Sequence, residues 1–269
     1  MAERLDAAVA GSSIEAVTVL GFAGLKTYDP APEAVVGRLV EGVGSRGKYA
    51  VVALGGGLRV AFHLSQGGRV DLEEPPRTTR PRGGVVRWRF SGGRAVLLRE
   101  YGTERKVGWW VLGPGDDGPL ASLGCDPFSV TFAELVDAGA DGRRVHTLLR
   151  DQRTVAGIGR GFADDICHAA GISPYATLTS LDAEARRALL AATRRLLEEA
   201  LVRERGRSGG LPTKLGDRFR VHGRHGTPCP ACGGDLRRVS YESYEVTYCP
   251  PCQTGGKVLA DRRMSRLVR

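Results

Sequence analysis

The sequence has 269 residues, with 39 Lys or Arg against 30 Asp or Glu and a net charge of +9. This length gives one large domain or two modest ones with a buried core, which excludes a small scaffold that depends on disulfides for its fold. No run approaches the ~20 apolar residues of a membrane span, and charged residues interrupt the start, where a secretory signal would lie. We therefore expect a cytoplasmic protein with no membrane partner.

Residues 13–112 have the pattern of β-structure. Short runs of alternating or β-branched residues are separated by paired glycines, which are typical of strands joined by tight turns. In the clearest run, LRVAFHL, Val60 and Phe62 would face one side of a strand and Arg59 the other. The pattern predicts a β-sandwich or a barrel that ends near the GPGDDG stretch at 113–118.

Helical periodicity follows this boundary. FAELVDAG, RRVHTLLRDQ and RGFADDICHAAG are short helical patterns, and a longer one runs from Leu181 to about Arg205. Thr179 and Asp182 have the spacing of a capping box at the start of the long helix. The second half of the chain is therefore predicted to be helical, which places the whole chain in the α+β class.

A tight turn separates two of the short helices. In Ala156-Gly157-Ile158-Gly159 the chain reverses before a helix that begins near Arg160. Such a turn leaves backbone N–H groups and a helix N-terminus pointing outward, and this arrangement binds phosphate well. The same pattern also serves as a plain connection between helices, so the turn alone does not establish a binding site.

Positive charge is concentrated at the end of the sequence. From Leu201 onward there are 14 Lys or Arg against six Asp or Glu, which accounts for +8 of the +9 net charge. No amphipathic apolar face accompanies this charge, so the pattern favours a nucleic-acid partner over a membrane surface. The alternative is a basic surface that is merely solvated.

Two CxxC pairs near the end of the chain predict a metal site. Four thiolates can converge tetrahedrally on one Zn²⁺ from two such knuckles, and a reducing compartment favours metal ligands over disulfides. We expect one structural zinc ion, with a basic and aromatic hairpin of sixteen residues between the pairs. The predicted ligands are Cys229, Cys232, Cys249 and Cys252.

These features together resemble one family. They follow one another in the order RGKY at 46–49, HLSQGGR at 63–69, VAGIGxxxADD, and a finger of the form CxxC-x16-CxxCQ. The likeness is to the formamidopyrimidine-DNA glycosylase and endonuclease VIII family of bacterial base-excision repair enzymes. The KTYDP and CQTGGKxLADRRxSRL stretches resemble its actinobacterial branch.

The resemblance implies an N-terminal β-sandwich, a C-terminal helix-two-turn-helix domain and a zinc-finger hairpin that bind duplex DNA. In this family the damaged nucleotide is extruded from the stack. An N-terminal proline and the adjacent glutamate then remove the base and cut the strand through a Schiff base. We expect a monomer that acts on damaged or abasic DNA and is associated with the nucleoid. The expected domains are the β-sandwich at 1–115, the helix-two-turn-helix domain at 125–206, a linker at 207–221 and the zinc finger with a basic tail at 222–269.

The sequence departs from the family pattern at several places. It begins MAERLDAAVAGSSIEAV, without the proline and the glutamate. Gln66 stands where the family has methionine, Arg160 replaces the asparagine of the turn, and Tyr244 replaces an arginine of the finger. Two hypotheses follow. One is an N-glycosylase with AP lyase activity, if an intact N-terminus exists, and the other is a non-enzymatic relative that binds damaged DNA without the Pro-Glu pair.

The resemblance also assigns the remaining candidate site residues. Lys48 matches the family lysine that assists the chemistry and contacts phosphate, although a solvent lysine at a strand edge is the alternative. His63 and Gln66 match the loop that fills the gap left by the extruded base. Arg237 and Arg238 are either a source of charge for the hairpin or solvated side chains. The predicted DNA-binding residues are Lys48, His63, Gln66, Gly159, Arg160, Arg237, Arg238 and Tyr244.

Overall fold

The computed structural model describes residues 1–207, 218–240 and 244–260. These residues form two compact units, the first of which is Met1–Ala121 and the second of which begins at Ser122. Three parts of the predicted domains lie outside the described residues, namely 208–217 in the linker, 241–243 in the hairpin and 261–269 in the basic tail. The domain boundaries given above stay predictions.

Within the fully described range 1–121, the first unit consists of one α-helix, eight strands and three short 3-10 helices. The α-helix is α1 (Ala2–Val9) and the strands are β1 (Ile14–Val19), β2 (Val40–Arg46), β3 (Tyr49–Leu54), β4 (Arg59–His63), β5 (Gly68–Glu73), β6 (Gly84–Phe90), β7 (Arg94–Glu100) and β8 (Gly108–Leu112). The 3-10 helices are Phe22–Gly24, Pro32–Val35 and Gly118–Leu120. The strands form two four-stranded antiparallel sheets, in the orders β1-β6-β7-β5 and β2-β3-β4-β8.

The core of the first unit lies between the two sheets. Trp88 on β6 packs edge-to-face against Trp109 on β8, with ring centroids 5.4 Å apart. Phe62 on β4 lies 6.0 Å from Trp88. Leu5 and Val9 of α1 are buried in the same core, because their spacing of four residues places them on one face of the helix. The predicted β-sandwich is confirmed.

The second unit begins with four α-helices, two of which have a side-chain cap at the N-terminus. They are α2 (Val130–Ala138), α3 (Val145–Arg150), α4 (Arg160–Ala169) and α5 (Ala183–Arg205), with a 3-10 helix at Leu178–Ser180. Ser129 accepts a hydrogen bond from the backbone N–H of Phe132 at 3.2 Å, and Asp182 accepts one from Ala185 at 2.8 Å. The long helix is confirmed, but the predicted capping box is wrong. Asp182 is itself the N-cap, and Thr179 lies in the preceding 3-10 turn.

The finger completes the second unit. It consists of strands β9 (Arg237–Ser240) and β10 (Glu245–Tyr248), which pair antiparallel, and helix α6 (Pro250–Thr254). Val221 and Leu236 are buried with Cys229 and Cys249 in a small core. The helical half and the hairpin therefore agree with the predicted α+β class. Among the helices that the structure describes, none combines the length and the apolar character needed to cross a bilayer.

Candidate nucleic-acid interface and metal centre

Lys48 lies in the exposed turn between β2 and β3. The next residue, Tyr49, pairs with His63 across the β3–β4 ladder, and the two rings are 5.1 Å apart. Burial, and after it the positive charge of Lys48, lowers the pKa of His63. Both effects disfavour the imidazolium, so this surface presents a lysine cation beside a neutral imidazole.

The loop between β4 and β5 carries Gln66 at the surface. The preceding residue, Ser65, has a φ of 52°, and its N–H donates to Nδ1 of His63 at 3.1 Å. A left-handed backbone is uncommon outside glycine and often accompanies a functional loop. His63 is the last residue of β4, within the LRVAFHL run that predicts a strand, and the loop begins after it. Gln66 does lie in the loop.

The side chain of Gln152 stabilises the turn that precedes α4 through three hydrogen bonds. Its side-chain oxygen accepts from the N–H of Gly157 at 3.0 Å, and its amide nitrogen donates to the carbonyl oxygens of Arg150 and Ile158, each at 2.8 Å. Gly157 has a φ of 107°, which residues with a side chain rarely adopt. Gly159 is the N-cap of α4 and provides no side-chain cap. The first N–H groups of α4 therefore have no acceptor within the helix.

Two arginines lie over the ring of Tyr244. Helix α4 begins at Arg160, as predicted. Cζ of Arg150 is 3.9 Å from the ring centroid of Tyr244, and Cζ of Arg160 is 5.9 Å from it. Both distances lie within the range of cation–π attraction. We call Arg150, Arg160 and Tyr244 the arginine–tyrosine cluster.

Two further observations describe the surroundings of this cluster. The imidazole of His146 is stacked with the ring of Tyr244 at a centroid distance of 6.4 Å and an interplanar angle of 14°. Nε of Arg150 is buried and has no hydrogen-bond partner within the described part of the chain. The cluster therefore brings two guanidinium groups to one aromatic ring, and this positive charge suits an anionic ligand.

Arg237 and Arg238 are exposed on β9. Nη1 of Arg238 lies 2.9 Å from Oε1 of Glu245 on the neighbouring strand, and Nη2 of Arg237 lies 3.9 Å from Oδ2 of Asp235. Exposed pairs of this kind contribute between about 0 and 1 kcal/mol. The two arginines are thus close to carboxylates, whereas those of the arginine–tyrosine cluster are held by an aromatic ring.

The four predicted cysteines converge at the base of the finger. Sγ of Cys232 lies 3.4 Å from Sγ of Cys249, and Sγ of Cys229 lies 3.9 Å from Sγ of Cys252. Two thiolates on one tetrahedral zinc ion are about 3.8 Å apart, because each Zn–S bond measures about 2.3 Å. A backbone hydrogen bond from Gly234 lowers the pKa of Cys232 to about 7, whereas burial raises the pKa of Cys249 to about 11. These donors fit a zinc ion.

His168, in the last turn of α4, adds a nitrogen to this group of sulfur atoms. Its side chain is buried, and Nε2 lies 3.1 Å from Sγ of Cys229. The ligand atoms of His168, Cys229, Cys249 and Cys252 all lie within 4.8 Å of one another. We call these four residues the His–Cys group.

Asp165 joins α4 to the segment that leads into the finger. Its carboxylate accepts three backbone N–H groups, from Arg220 at 2.7 Å, Val221 at 2.9 Å and His222 at 3.2 Å. Hydrogen bonds from N–H groups to a charged carboxylate are stronger than neutral ones. Asp165 thereby fixes the start of the finger against α4.

Asp164 makes a second connection, through side chains. Its carboxylate lies 2.8 Å from Nε2 of His146 and 2.6 Å from Nδ1 of His222, and it accepts the backbone N–H of Thr247 at 3.2 Å. Burial alone would raise the pKa of Asp164, but the hydrogen bonds with His146 and His222 outweigh it and leave the pKa lowered. The carboxylate is therefore ionised and links α3, α4 and the finger.

Two family models match the chain. The model for the formamidopyrimidine-DNA glycosylase N-terminal domain matches residues 1–110, and the model for the formamidopyrimidine-DNA glycosylase H2TH domain matches residues 123–209. A formamidopyrimidine-DNA glycosylase of Thermus thermophilus is 33% identical over 234 residues, which cover 82% of this chain and 84% of that protein. The chain belongs to the formamidopyrimidine-DNA glycosylase family.

Solved structures share the glycosylase fold. The crystal structure of MutM (Fpg) from Thermus thermophilus superimposes with a TM-score of 0.79 at 29% identity, covering 96% of this chain and 97% of that one. Lactococcus lactis Fpg, solved in complex with DNA containing an abasic site, has a TM-score of 0.83 at 18% identity, covering 94% and 96% of the two chains. At that identity the second comparison shows the fold alone.

Sequence reasoning missed several residues of this glycosylase-family site. Arg150, Gln152 and His146 lie in RRVHTLLRDQ, where the sequence indicates only a helical pattern. His168 follows Asp164 by four residues, a spacing that places both on one face of a helix. A polar face on α4 is therefore the sequence signal that indicates these residues, although the residues that they contact lie far along the chain.

Proposed function

We propose that this protein binds damaged or abasic duplex DNA. The observation that carries the proposal is the arginine–tyrosine cluster, in which two guanidinium groups lie over one ring at the N-terminus of α4. Family membership supports it, as does the abasic-site DNA bound by the Lactococcus lactis protein of the same fold.

The proposed ligand at this cluster is a backbone phosphate. The N–H groups at a helix N-terminus attract anions, and Gly159 and Gly157 let a phosphate approach the backbone closely. Arg160 supplies a planar, permanently charged donor suited to phosphate. Arg150 adds a second guanidinium group, whose Cζ lies 3.9 Å from the ring centroid of Tyr244.

In the first unit, we propose that Lys48 contacts phosphate near the damaged nucleotide. Its exposed position in the β2–β3 turn supports this role. We assign Gln66 to the space that an extruded base leaves in the duplex, because it is exposed on a loop with a constrained backbone at Ser65. His63 holds that loop through its bond with the N–H of Ser65. Arg237 and Arg238 add positive charge on β9.

We further propose one structural zinc ion, held by Cys229, Cys232, Cys249 and Cys252. The sulfur separations support this set, because they are close to those around one tetrahedral zinc ion. The metal would fix the turns on either side of the hairpin, since zinc contributes folding free energy to small domains outright. The protein would act as a monomer in the cytoplasm, on the DNA of the nucleoid.

Binding can be tested by fluorescence anisotropy on a duplex with an abasic-site analogue, at a series of salt concentrations. If Arg150 and Arg160 each neutralise one phosphate, Arg150→Ala and Arg160→Ala should each flatten the slope of log K against log salt by about 0.9. Arg195→Ala is the matched control, because Arg195 is an exposed arginine of α5 paired with Glu199. Slopes that equal the wild-type slope in the Arg150 and Arg160 variants would refute the proposal.

Borohydride trapping decides between the two hypotheses about chemistry. The sequence begins with Met1, Ala2 and Glu3, without a Pro-Glu pair. A protein that forms a Schiff base with an abasic site becomes covalently linked to DNA on reduction, and such an adduct would support N-glycosylase and AP lyase activity. Tight binding without an adduct would support the non-enzymatic alternative. Equal affinity for damaged and undamaged duplexes would contradict both hypotheses.

A further inference from the structure

The metal centre has more donors than a tetrahedral ion uses. Four cysteine sulfur atoms converge there, and Nε2 of His168 lies 3.1 Å from Sγ of Cys229. Donor atoms around one tetrahedral zinc ion are about 3.5 to 3.8 Å apart, given its usual bond lengths to nitrogen and sulfur. The span of 4.8 Å within the His–Cys group is therefore close to that of a complete ligand set of three sulfurs and one nitrogen.

Exposure distinguishes Cys232 from the other donors. Cys232 is exposed, Cys229 and Cys249 are buried, and Cys252 is partly buried. Cys232 is also not a member of the His–Cys group. An exposed thiolate is the one that alkylating or oxidising reagents reach first. Cys232 is thus the ligand most open to chemical loss, and the other three cysteines already lie in one group with a histidine nitrogen.

We propose that His168 is a reserve ligand of the metal centre. While four cysteines hold the metal, His168 donates a hydrogen bond from Nε2 to the Cys229 thiolate. When the Cys232 thiolate is lost, Nε2 binds the metal in its place. This inference rests on the zinc site proposed above and adds a donor to it.

The replacement of the Cys232 thiolate by Nε2 of His168 requires no electron transfer. In the resting site the imidazole has the tautomer with its proton on Nε2, which lets Nε2 donate to the Cys229 thiolate. In the exchanged site the lone pair of Nε2 binds the metal and the proton is on Nδ1, which is the other neutral tautomer. The Cys232 sulfur leaves as a thioether after alkylation, or is absent in a serine variant. The site then carries one negative charge fewer, because a neutral ligand replaces a thiolate.

Hydrogen bonds on both sides hold the helix that carries His168. Asp164 and Asp165 attach α4 to residues 220–222 and to Thr247. Gln253 joins the metal knuckle to the chain that follows α4, because its side chain accepts the N–H of Cys249 at 2.8 Å and donates to the carbonyl of Ile172 at 2.7 Å. His168 therefore needs no large movement to become a ligand, and this preorganisation favours binding.

Cobalt(II) substitution in the full-length protein tests the proposal, because its absorption spectrum distinguishes four sulfur ligands from three sulfurs and one nitrogen. Cys232→Ser should still bind one Co²⁺ with the spectrum of three sulfurs and one nitrogen. Adding His168→Gln to that variant should weaken metal binding by about 100-fold. Glutamine can still donate a hydrogen bond to Cys229, so the double variant separates ligation from hydrogen bonding.

Cys249→Ser is the matched control, because Cys249 belongs to both ligand sets and its loss should abolish tight binding. Far-UV circular dichroism of each variant checks that α4 and α5 remain folded. If Cys232→Ser binds Co²⁺ as weakly as the double variant, the reserve-ligand proposal is refuted while the zinc site stands. If the wild-type protein itself does not bind Co²⁺ through four sulfurs, the zinc proposal fails and the reserve ligand fails with it.

Discussion

Tyr244 carries no charge, but it lies against two positively charged side chains of the helical half. The family resemblance suggests that a tyrosine at this position of the finger removes an arginine and its phosphate contact. In the structure the ring lies under Arg150 and near Arg160. The positive groups therefore belong to α3 and α4, and the finger supplies the surface that holds them.

Replacing Tyr244 tests whether the ring positions these arginines. Tyr244→Ala should weaken binding to an abasic-site duplex about tenfold, because cation–π contacts contribute ~1 to 2 kcal/mol when partly desolvated. Tyr244→Phe keeps the ring and should bind as the wild type does. Fluorescence anisotropy measures both affinities. The same affinity for the alanine and phenylalanine variants would show that the ring has no positioning role.

Asp164 should make the stability of the second unit depend on acid pH. Its pKa in the folded protein is lowered below the ordinary value, so its contribution to stability is present above pH ~4 and is lost as the pH falls through the folded pKa. Asp164→Asn should lower the free energy of unfolding at pH 7 by about 3 kcal/mol, because it removes a buried carboxylate that bonds with two imidazoles and one backbone N–H. It should also flatten the acid dependence of that free energy.

Urea unfolding followed by far-UV circular dichroism, repeated from pH 3 to 7, measures this effect. Asp137→Asn is the matched control, since Asp137 is exposed on α2. The control should keep the wild-type dependence on pH. Parallel curves for the Asp164 variant and the wild type would mean that Asp164 does not titrate in this range.

Helix α4 combines three roles within its ten residues. Its N-terminus faces the arginine–tyrosine cluster, its middle carries Asp164 and Asp165, and its last turn carries His168. Asp164 follows Arg160 by four residues and His168 follows Asp164 by four, so successive turns of the helix carry the three roles. The element thus couples the proposed phosphate site to the metal centre through one rigid body.

Asp165 is the residue whose loss should loosen the finger from α4. Asp165→Asn places an amide NH₂ against backbone N–H donors, and we expect the free energy of unfolding of the second unit to fall by about 3 kcal/mol. The measurement is urea unfolding at pH 7, with Asp137→Asn again as the exposed control. Limited proteolysis should also cleave the variant faster between the helical half and the finger. Identical results for the two variants would contradict this role.

Local patterns predict the elements better than they predict the connections between them. The sandwich follows from alternating residues and glycine turns, and the metal site follows from two CxxC pairs, because both signals lie within a few neighbouring residues. The bonds of Asp165 join residues 55 to 57 positions apart, and no periodicity reports such pairing. The predicted capping box at the start of α5 is wrong because Thr179 and Asp182 both have side chains that favour an N-cap. The sequence alone does not distinguish which of the two takes that position.

At the scale of the whole molecule, each compact unit has a hydrophobic core of its own. One core contains Trp88 and Trp109, and the other contains Leu148, Ile166 and Leu189. All three tryptophans of the sequence, Trp88, Trp109 and Trp110, belong to the first unit. Tryptophan fluorescence therefore reports on the sandwich alone.

Because each unit has its own core, we expect metal removal to destabilise the finger and to leave the sandwich folded. A strong chelator should unfold the finger, because bound zinc contributes on the order of 10 kcal/mol to the stability of such a site. We expect faster proteolysis of residues 218–260 after chelation, while the urea midpoint measured by tryptophan fluorescence stays unchanged. Adding zinc back should restore protection. A shift of the tryptophan midpoint on chelation would show that the sandwich depends on the metal.

The long-range bonds of α4 also determine when the protein can finish folding during synthesis. Asp165 leaves the ribosome before its backbone donors are made, at Arg220, Val221 and His222. Thr247, a partner of Asp164, follows Asp164 by 83 residues. Until then the nascent helical half has two carboxylates without the amides that will bind them, and water must hydrate the oxygen atoms that those amides will contact. A shortened version of the protein that stops after α5 would keep them in that condition permanently, and it should accumulate as a soluble but incompletely packed chain.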